Sequence, residues 1–289
     1  MDKAMLLACL MLAGCAAGEQ YTAASTYAKL HTRYPHIRIA SSALPAGVQV
    51  QRGLTFMQYD ERALALDLYS PATQGATPAP VVVLVHGGGW RSGNRDELAP
   101  IAARFAAHGY AAATVSYRLS GEARYPAAIE DVKAAIAWLA ARSGQLRIDP
   151  QRIAVAGASA GGQIAALVGM TDAAHVRAVI NIDGLSDFTS AQARLYEDDP
   201  AKNPSAAGAW FGGRYAEKSA LWHDASPLFH VGADAPPVLF IGSSEPRFSA
   251  GRDDMVARLA EQGVASSVML VPDTPHSFWL FDPWLAPTF

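Results

Sequence analysis

Ser159 stands at the centre of Gly157-Ala158-Ser159-Ala160-Gly161, a Gly-x-Ser-x-Gly run with small residues on both sides. The run Arg152-Ile153-Ala154-Val155-Ala156 before it reads as a buried strand, and Gly162 to Val168 after it reads as a helix. Strand, Gly-x-Ser-x-Gly and helix together form a nucleophile elbow, a tight turn that lifts a serine hydroxyl off the end of a parallel sheet. An unassisted serine is a weak nucleophile, so the chemistry needs a base, an acid behind the base and N–H donors for a developing oxyanion.

Candidates for each part lie where strands end. The apolar run Pro80 to Val85 leads into His86-Gly87-Gly88-Gly89-Trp90. Gly88 and Gly89 let backbone N–H groups approach an oxyanion, alongside the N–H of Ala160, and His86 reads as a brace for that loop. A phosphate loop would need Lys-Ser/Thr after the glycines, and Trp90-Arg91-Ser92 does not supply it. Of the eight histidines, His276 follows the strand-like run Val268 to Val271 by a short loop and is the candidate base. The acid is expected at Glu245, in Ser243-Ser244-Glu245 after the buried run Pro237 to Gly242, which completes the order serine, acid, histidine. Asp253 and Asp254 compete for the role, although they open a helix expected over Arg252 to Gln262, where the helix dipole already favours acids. Arg247 and Arg252 could fork onto a uronic-acid carboxylate or pair with Glu245, Asp253 or Asp254. The aromatics Phe278, Trp279, Phe281 and Trp284 read as packing residues more than as a platform for a sugar ring.

The elements that must hold these residues alternate along the chain. Leu54–Tyr59 and Leu64–Tyr69 read as an antiparallel pair, followed by strands at Val81–Val85, Ala111–Tyr117, Val176–Asp183, Val238–Gly242 and Val268–Val271. Helical patterns fall between them, one around Leu98 to Ala107 and another marked by Ile129, Val132, Ile136 and Leu139. This alternation predicts an α/β fold with a doubly wound, mostly parallel sheet and a site at the carboxyl ends of its strands. It lapses between about residues 184 and 222, where either a small lid over the pocket or a surface excursion is expected.

The first residues carry an address. An apolar stretch from Ala4 to Ala13 has the length of a signal h-region and is too short to span a bilayer. It ends in Leu12-Ala13-Gly14-Cys15, which resembles a bacterial lipobox, whose cysteine is lipidated and becomes the first mature residue; the alternative is an ordinary signal peptide cut nearby. The expected organisation is a lipoprotein signal over residues 1–14, a tether over 15–45 and a catalytic domain over 46–289. The expected place is the outer membrane, facing the periplasm or the exterior, with the lipid on Cys15 as the one membrane contact. The only other cysteine, Cys9, would leave with the signal, so no disulfide and no metal site are expected. A net charge of −3 and the lack of a basic stripe argue against nucleic acid as a partner.

Taken together, His86–Trp90, Gly157–Gly162, Val179–Gly184, Ala225-Ser226-Pro227-Leu228 and His276-Ser277-Phe278 resemble the esterase/lipase-like branch of the α/β-hydrolase superfamily. They are most similar to bacterial feruloyl/acetyl esterase-like proteins that act on plant polysaccharide esters. The resemblance implies the α/β-hydrolase fold, a cofactor-free serine hydrolase with Ser159 as nucleophile and His276 as base, and a small-molecule or carbohydrate ester as substrate. Glu245 departs from the family pattern, where Asp is commoner. A peptidase of related fold usually carries a further large domain, and a non-catalytic binding protein on this scaffold typically loses the serine or histidine; both remain as alternatives.

Overall fold

The central strand shows how the sheet is built. In Ala79–Val85 (β4), Val81, Val83 and Val85 belong to one buried cluster while Val82 and Leu84 belong to another. A strand period of two sends alternate side chains to opposite faces, so a run apolar at every position needs cover on both. A computed structural model of the chain describes residues 21–73 and 75–286. Its strands are β1 (Arg38–Ile39), β2 (Val48–Tyr59), β3 (Arg62–Pro71), β4, β5 (Ala111–Val115), β6 (Ile148–Ala158), β7 (Val176–Ile182), β8 (Val238–Gly242), β9 (Ser266–Leu270) and β10 (Phe281–Asp282). Its helices are α1 (Ala23–Leu30), α2 (Ala99–Ala107), α3 (Ala127–Ala141), α4 (Ser143–Leu146), α5 (Ala160–Thr171), α6 (Ala191–Glu197), α7 (Ala206–Phe211), α8 (Tyr215–Asp224) and α9 (Arg252–Glu261).

Eight strands form one sheet in the order β2-β3-β5-β4-β6-β7-β8-β9. The β2–β3 and β3–β5 pairs are antiparallel, and every pair from β5 to β9 is parallel. This is the doubly wound α/β architecture expected from the alternation. Helices α3 and α5 cover one face with Val132, Ile136, Leu139, Ile164 and Leu167; α2 covers the other with Ile101, Ala102 and Ala106. The strands β4, β6 and β7 end side by side, with Val85 paired to Gly157 and Ala158 to Ile182. That edge is where the site forms.

Two segments differ from their sequence reading or resolve it. Residues 21–40 are not a tether: Tyr27 of α1 packs on Phe281 with 6.3 Å between ring centres, Tyr34 meets the face of Trp284 edge-on at 5.0 Å, and β1 pairs with β10. The tyrosines and the buried Ile37 supply the apolar surface that the Ala/Ser/Thr-rich composition conceals. The 184–222 stretch folds into α6, α7 and most of α8 around buried Phe188, Trp210, Phe211 and Trp222. The expected signal segment and Cys15 lie outside the described residues. Among the described residues, no helix is long and apolar enough to cross a membrane.

Candidate active site

The elbow is forced by sterics at the junction of β6 and α5. Ser159 has φ +57° and ψ −122°, a conformation that L side chains rarely adopt. A Cβ on Gly157 would collide with the carbonyl of Gly161, and one on Gly161 with the carbonyl of Val85. Both positions therefore need glycine, which is why the motif has the composition it has. The Ser159 N–H donates to the Ile182 carbonyl at 2.8 Å, tying the turn to the end of β7.

Ser159 Oγ lies 2.9 Å from His276 Nε2, and His276 Nδ1 lies 3.0 Å from Asp183 Oδ2. An ionised carboxylate only accepts hydrogen bonds, so Nδ1–H donates to Asp183 and Nε2 accepts from the serine hydroxyl. The Asp183 side chain is 3% exposed. Its other oxygen, Oδ1, accepts the Ser243 N–H at 2.8 Å, and its own N–H donates to the Ile241 carbonyl at 2.8 Å. Burial holds the His276 pKa below the ordinary imidazole value, and the Asp183 carboxylate pushes it partly back up. The Phe248 ring lies flat on the imidazole with 3.4 Å between centres, and Trp279 meets it edge-on at 5.0 Å.

The carboxylate beside His276 is thus Asp183, not the expected Glu245. Glu245 is exposed and starts the short turn Pro246–Ser249; its N–H donates to Ser243 Oγ at 3.2 Å. Its charge raises the His276 pKa less than the adjacent Asp183 carboxylate does. Glu245 stands three residues past β8 with its side chain exposed, whereas β7 neighbours the elbow strand directly, so a side chain at its end falls beside the base. The competing acids are farther off the mark. Asp253 is 80% exposed and pairs with Arg252 at 2.8 Å, and Asp254 is exposed in the first turn of α9. The sequence did hold a signal for Asp183: the apolar run of β7 ends in Asn181-Ile182-Asp183, placing two polar side chains at the carboxyl end of a buried strand. Asn181 clamps the turn that follows, accepting from the Gly184 N–H at 2.8 Å and donating to its carbonyl at 3.1 Å.

Gly88 and Gly89 line a cleft with Ser159 and His276, and Ala160 lines a smaller adjoining cavity that shares Gly89, Ser159, Arg247 and Phe248 with it. Gly88 has φ +112°, and a Cβ there would collide with the Ser92 carbonyl. The Gly88 carbonyl is taken up by the N–H groups of Arg91 (3.2 Å) and Ser92 (3.1 Å), fixing the turn. Ala160 is the first residue of α5, so its N–H has no carbonyl one turn back within the helix. His86 is buried, stacks on Tyr117 at 4.4 Å and has its pKa pushed down to about 4 by burial, so it braces the turn as a neutral ring. Trp90 donates to Gln163 Oε1 at 2.9 Å and stacks on Trp210 of α7 at 5.1 Å, joining the glycine turn to the insertion.

The insertion covers the site: Leu185, Glu197 and Ala206 line the small cavity beside Ser159. Arg247 pairs with Glu197, with Nε at 2.8 Å and Nη2 at 2.6 Å from Oε1, a partner outside those expected from the sequence. Phe278, Trp279, Phe281 and Trp284 are all buried in packing.

A family model described as BD-FAE matches residues 66–248. Among curated proteins, the chain is similar to "Probable carboxylic ester hydrolase LipM" of Mycobacterium tuberculosis, 29% identical over 75% of this chain and 54% of that one. It is also similar to "Ethyl acetate hydrolase" of Pseudomonas putida, 30% identical over 82% of this chain and 80% of that one. The chain thus spans about half the length of LipM. Among solved structures, esterase B of Lactobacillus rhamnosis superposes with a TM-score of 0.71 at 22% identity, over 92% of this chain and 89% of the other.

Proposed function

The chain belongs to the BD-FAE family of α/β-hydrolase esterases, and on that premise we propose that it hydrolyses carboxylic esters with Ser159 as nucleophile. The observation that carries this reading is the line Ser159–His276–Asp183, with hydrogen bonds of 2.9 and 3.0 Å. Ser159 Oγ attacks the ester carbonyl carbon while its proton passes to His276 Nε2. The carbonyl π pair moves onto oxygen, where the N–H groups of Gly88, Gly89 and Ala160 receive the charge. Asp183 stabilises the imidazolium and keeps the ring turned toward the serine. The intermediate collapses by breaking the bond to the alcohol oxygen, which leaves with the proton from Nε2. Water then repeats the sequence on the acyl-enzyme and frees the acid.

The test is hydrolysis of p-nitrophenyl acetate by the purified protein, an acetate ester being also the substrate in the name of the similar Pseudomonas putida ethyl acetate hydrolase. Ser159→Ala is expected to lower kcat on the order of 10⁴-fold or more with an unchanged Tm. Near wild-type turnover by that variant removes Ser159 as the nucleophile and overturns the reading; no turnover by the wild-type protein would instead favour a protein that binds without catalysis.

The sequence of residues 1–15 supports a second proposal, export as a lipoprotein held in the outer membrane through Cys15. Ala16 follows the cysteine in place of Asp, in keeping with outer-membrane sorting. Wild-type protein is expected in the membrane fraction and Cys15→Ser in the soluble one; equal, soluble partitioning of both sinks the anchor.

A further inference from the structure

The catalytic groups come from the ends of strands and the loops beyond them, yet part of the cleft wall comes from residue 21. Tyr21 lines the cleft together with Ser159, His276, Gly88 and Ser92. Its hydroxyl lies 3.1 Å from the hydroxyl of Ser277, the residue next to the base and 256 positions away in sequence; either can donate. The rest of residues 21–40 lands on the same stretch. Tyr27 packs on Phe281, Tyr34 packs on Trp284, and the Ala40 N–H donates to the Leu280 carbonyl at 2.9 Å. All of these partners lie between Ser277 and Trp284, in the segment that directly follows His276.

Ser277 is an unusual residue for its place. Its φ is +73°, in the left-handed region that favours glycine, so a side chain there is strained. What serine has and glycine lacks is the hydroxyl, and that hydroxyl meets Tyr21. Ser277 is also buried, where a hydroxyl needs a partner. From this we infer that Tyr21 is a positioning residue for ester hydrolysis: through Ser277 its hydroxyl fixes the turn that carries His276. The inference rests on the ester-hydrolase reading above.

The loop after β9 needs such ties. Two of its residues, Asp273 and Ser277, have left-handed φ values of +58° and +73°, one on each side of His276. Its first half is held by Thr274, whose hydroxyl donates to the Val271 carbonyl at 2.7 Å and whose carbonyl accepts the Ser244 N–H at 3.2 Å. The bond from Tyr21 to Ser277 ties the second half. Asp183, Phe248 and Trp279 orient the imidazole itself. The backbone from which that imidazole reaches Ser159 is set by the ties on either side of it.

The experiment measures kcat, KM and Tm with p-nitrophenyl acetate for Tyr21→Phe, Ser277→Gly and the double variant. Tyr21→Phe keeps the ring and removes only the hydroxyl. Since a misplacement of about 1 Å can cost on the order of 10²-fold, a shift of about half that is expected to lower kcat about tenfold, with KM within about twofold of wild type. Ser277→Gly removes the same bond from the other side while relieving the left-handed backbone, so Tm is expected to hold while kcat falls by about tenfold or more. Adding Tyr21→Phe to Ser277→Gly is expected to cost nothing further, because both remove one bond. A serine and a tyrosine with only a structural role would move Tm and leave kcat alone. Wild-type kcat in Tyr21→Phe, or a further tenfold loss on adding it to Ser277→Gly, overturns the inference and leaves the ester-hydrolase reading standing. Failure of the wild type to turn over the ester overturns the reading itself and the inference with it.

Discussion

The ends of β7 and β8 lie next to each other in the sheet, and each is followed by an acidic residue. Asp183 comes directly after β7, is almost fully buried and accepts hydrogen bonds from His276 and from the Ser243 N–H. Glu245 comes three residues after β8, is exposed, and is set at the start of a turn fixed by Pro246. The residue order serine, acid, histidine is satisfied by either. What separates them is distance from the strand end: a side chain one residue past a strand inherits the strand's position, while three residues and a proline redirect the chain. The β8 loop still serves the site, since Ser243 N–H holds the Asp183 carboxylate and Phe248 lies on the imidazole. It contributes a donor and a ring, and its carboxylate faces solvent.

The largest expected effect tests the buried side of this comparison. Asp183→Asn keeps the shape and an acceptor for Ser243 but removes the charge and lets the amide favour the wrong imidazole tautomer. It is expected to lower kcat by about 10⁴-fold on p-nitrophenyl acetate, with little change in Tm. The pH profile gives a second readout. Burial lowers the His276 pKa, so wild-type activity should persist below the ordinary imidazole pKa of about 6.5 and be lost as the pH falls through the lowered value. Asp183 opposes that lowering, so its neutral replacement should carry the acid limb to still lower pH. Activity within tenfold of wild type would break the comparison at its stronger end.

The contrast between these two acids also explains what could be read in the sequence. The elbow was legible because its cause is local: Gly157 and Gly161 are required by backbone contacts within a few residues of Ser159. The glycine turn after β4 was legible for the same reason, and His276 because a strand-like run precedes it. The pairing of His276 with Asp183 joins residues 93 positions apart through a sheet order in which β7 lies beside β6, and no local pattern records that order. The run Asn181-Ile182-Asp183 was visible as part of a resembling segment, yet its carboxylate acquires a role only from the neighbouring strand ends. Residues 21–40 were misread on the same ground, since their polar composition gives no hint of the Phe281 and Trp284 rings they pack against. Glu197 as the partner of Arg247 was equally out of reach, since the two are 50 residues apart, one on the insertion and the other on the loop after β8.

The smallest expected effect tests the exposed side. Glu245→Gln removes a charge that faces water and makes no hydrogen bond to His276 among the described contacts of either residue. Its backbone N–H and carbonyl, which hold Ser243 Oγ and the Phe248 N–H, are untouched by the substitution, so the loop and the ring on His276 should stay in place. An exposed charge acting through solvent is worth at most about 1 kcal/mol, so the change in kcat is expected to be under about fivefold. What remains of its influence is a slight raising of the His276 pKa, so the acid limb should move marginally downward, in the direction expected of Asp183→Asn but by far less. The informative result is the pair of variants measured side by side with p-nitrophenyl acetate. If Glu245→Gln is crippled and Asp183→Asn is not, the β8 loop must swing inward during turnover and carry Glu245 to the imidazole. A small effect of Glu245→Gln alone, with Asp183→Asn inactive and folded, fixes the acid at the end of β7.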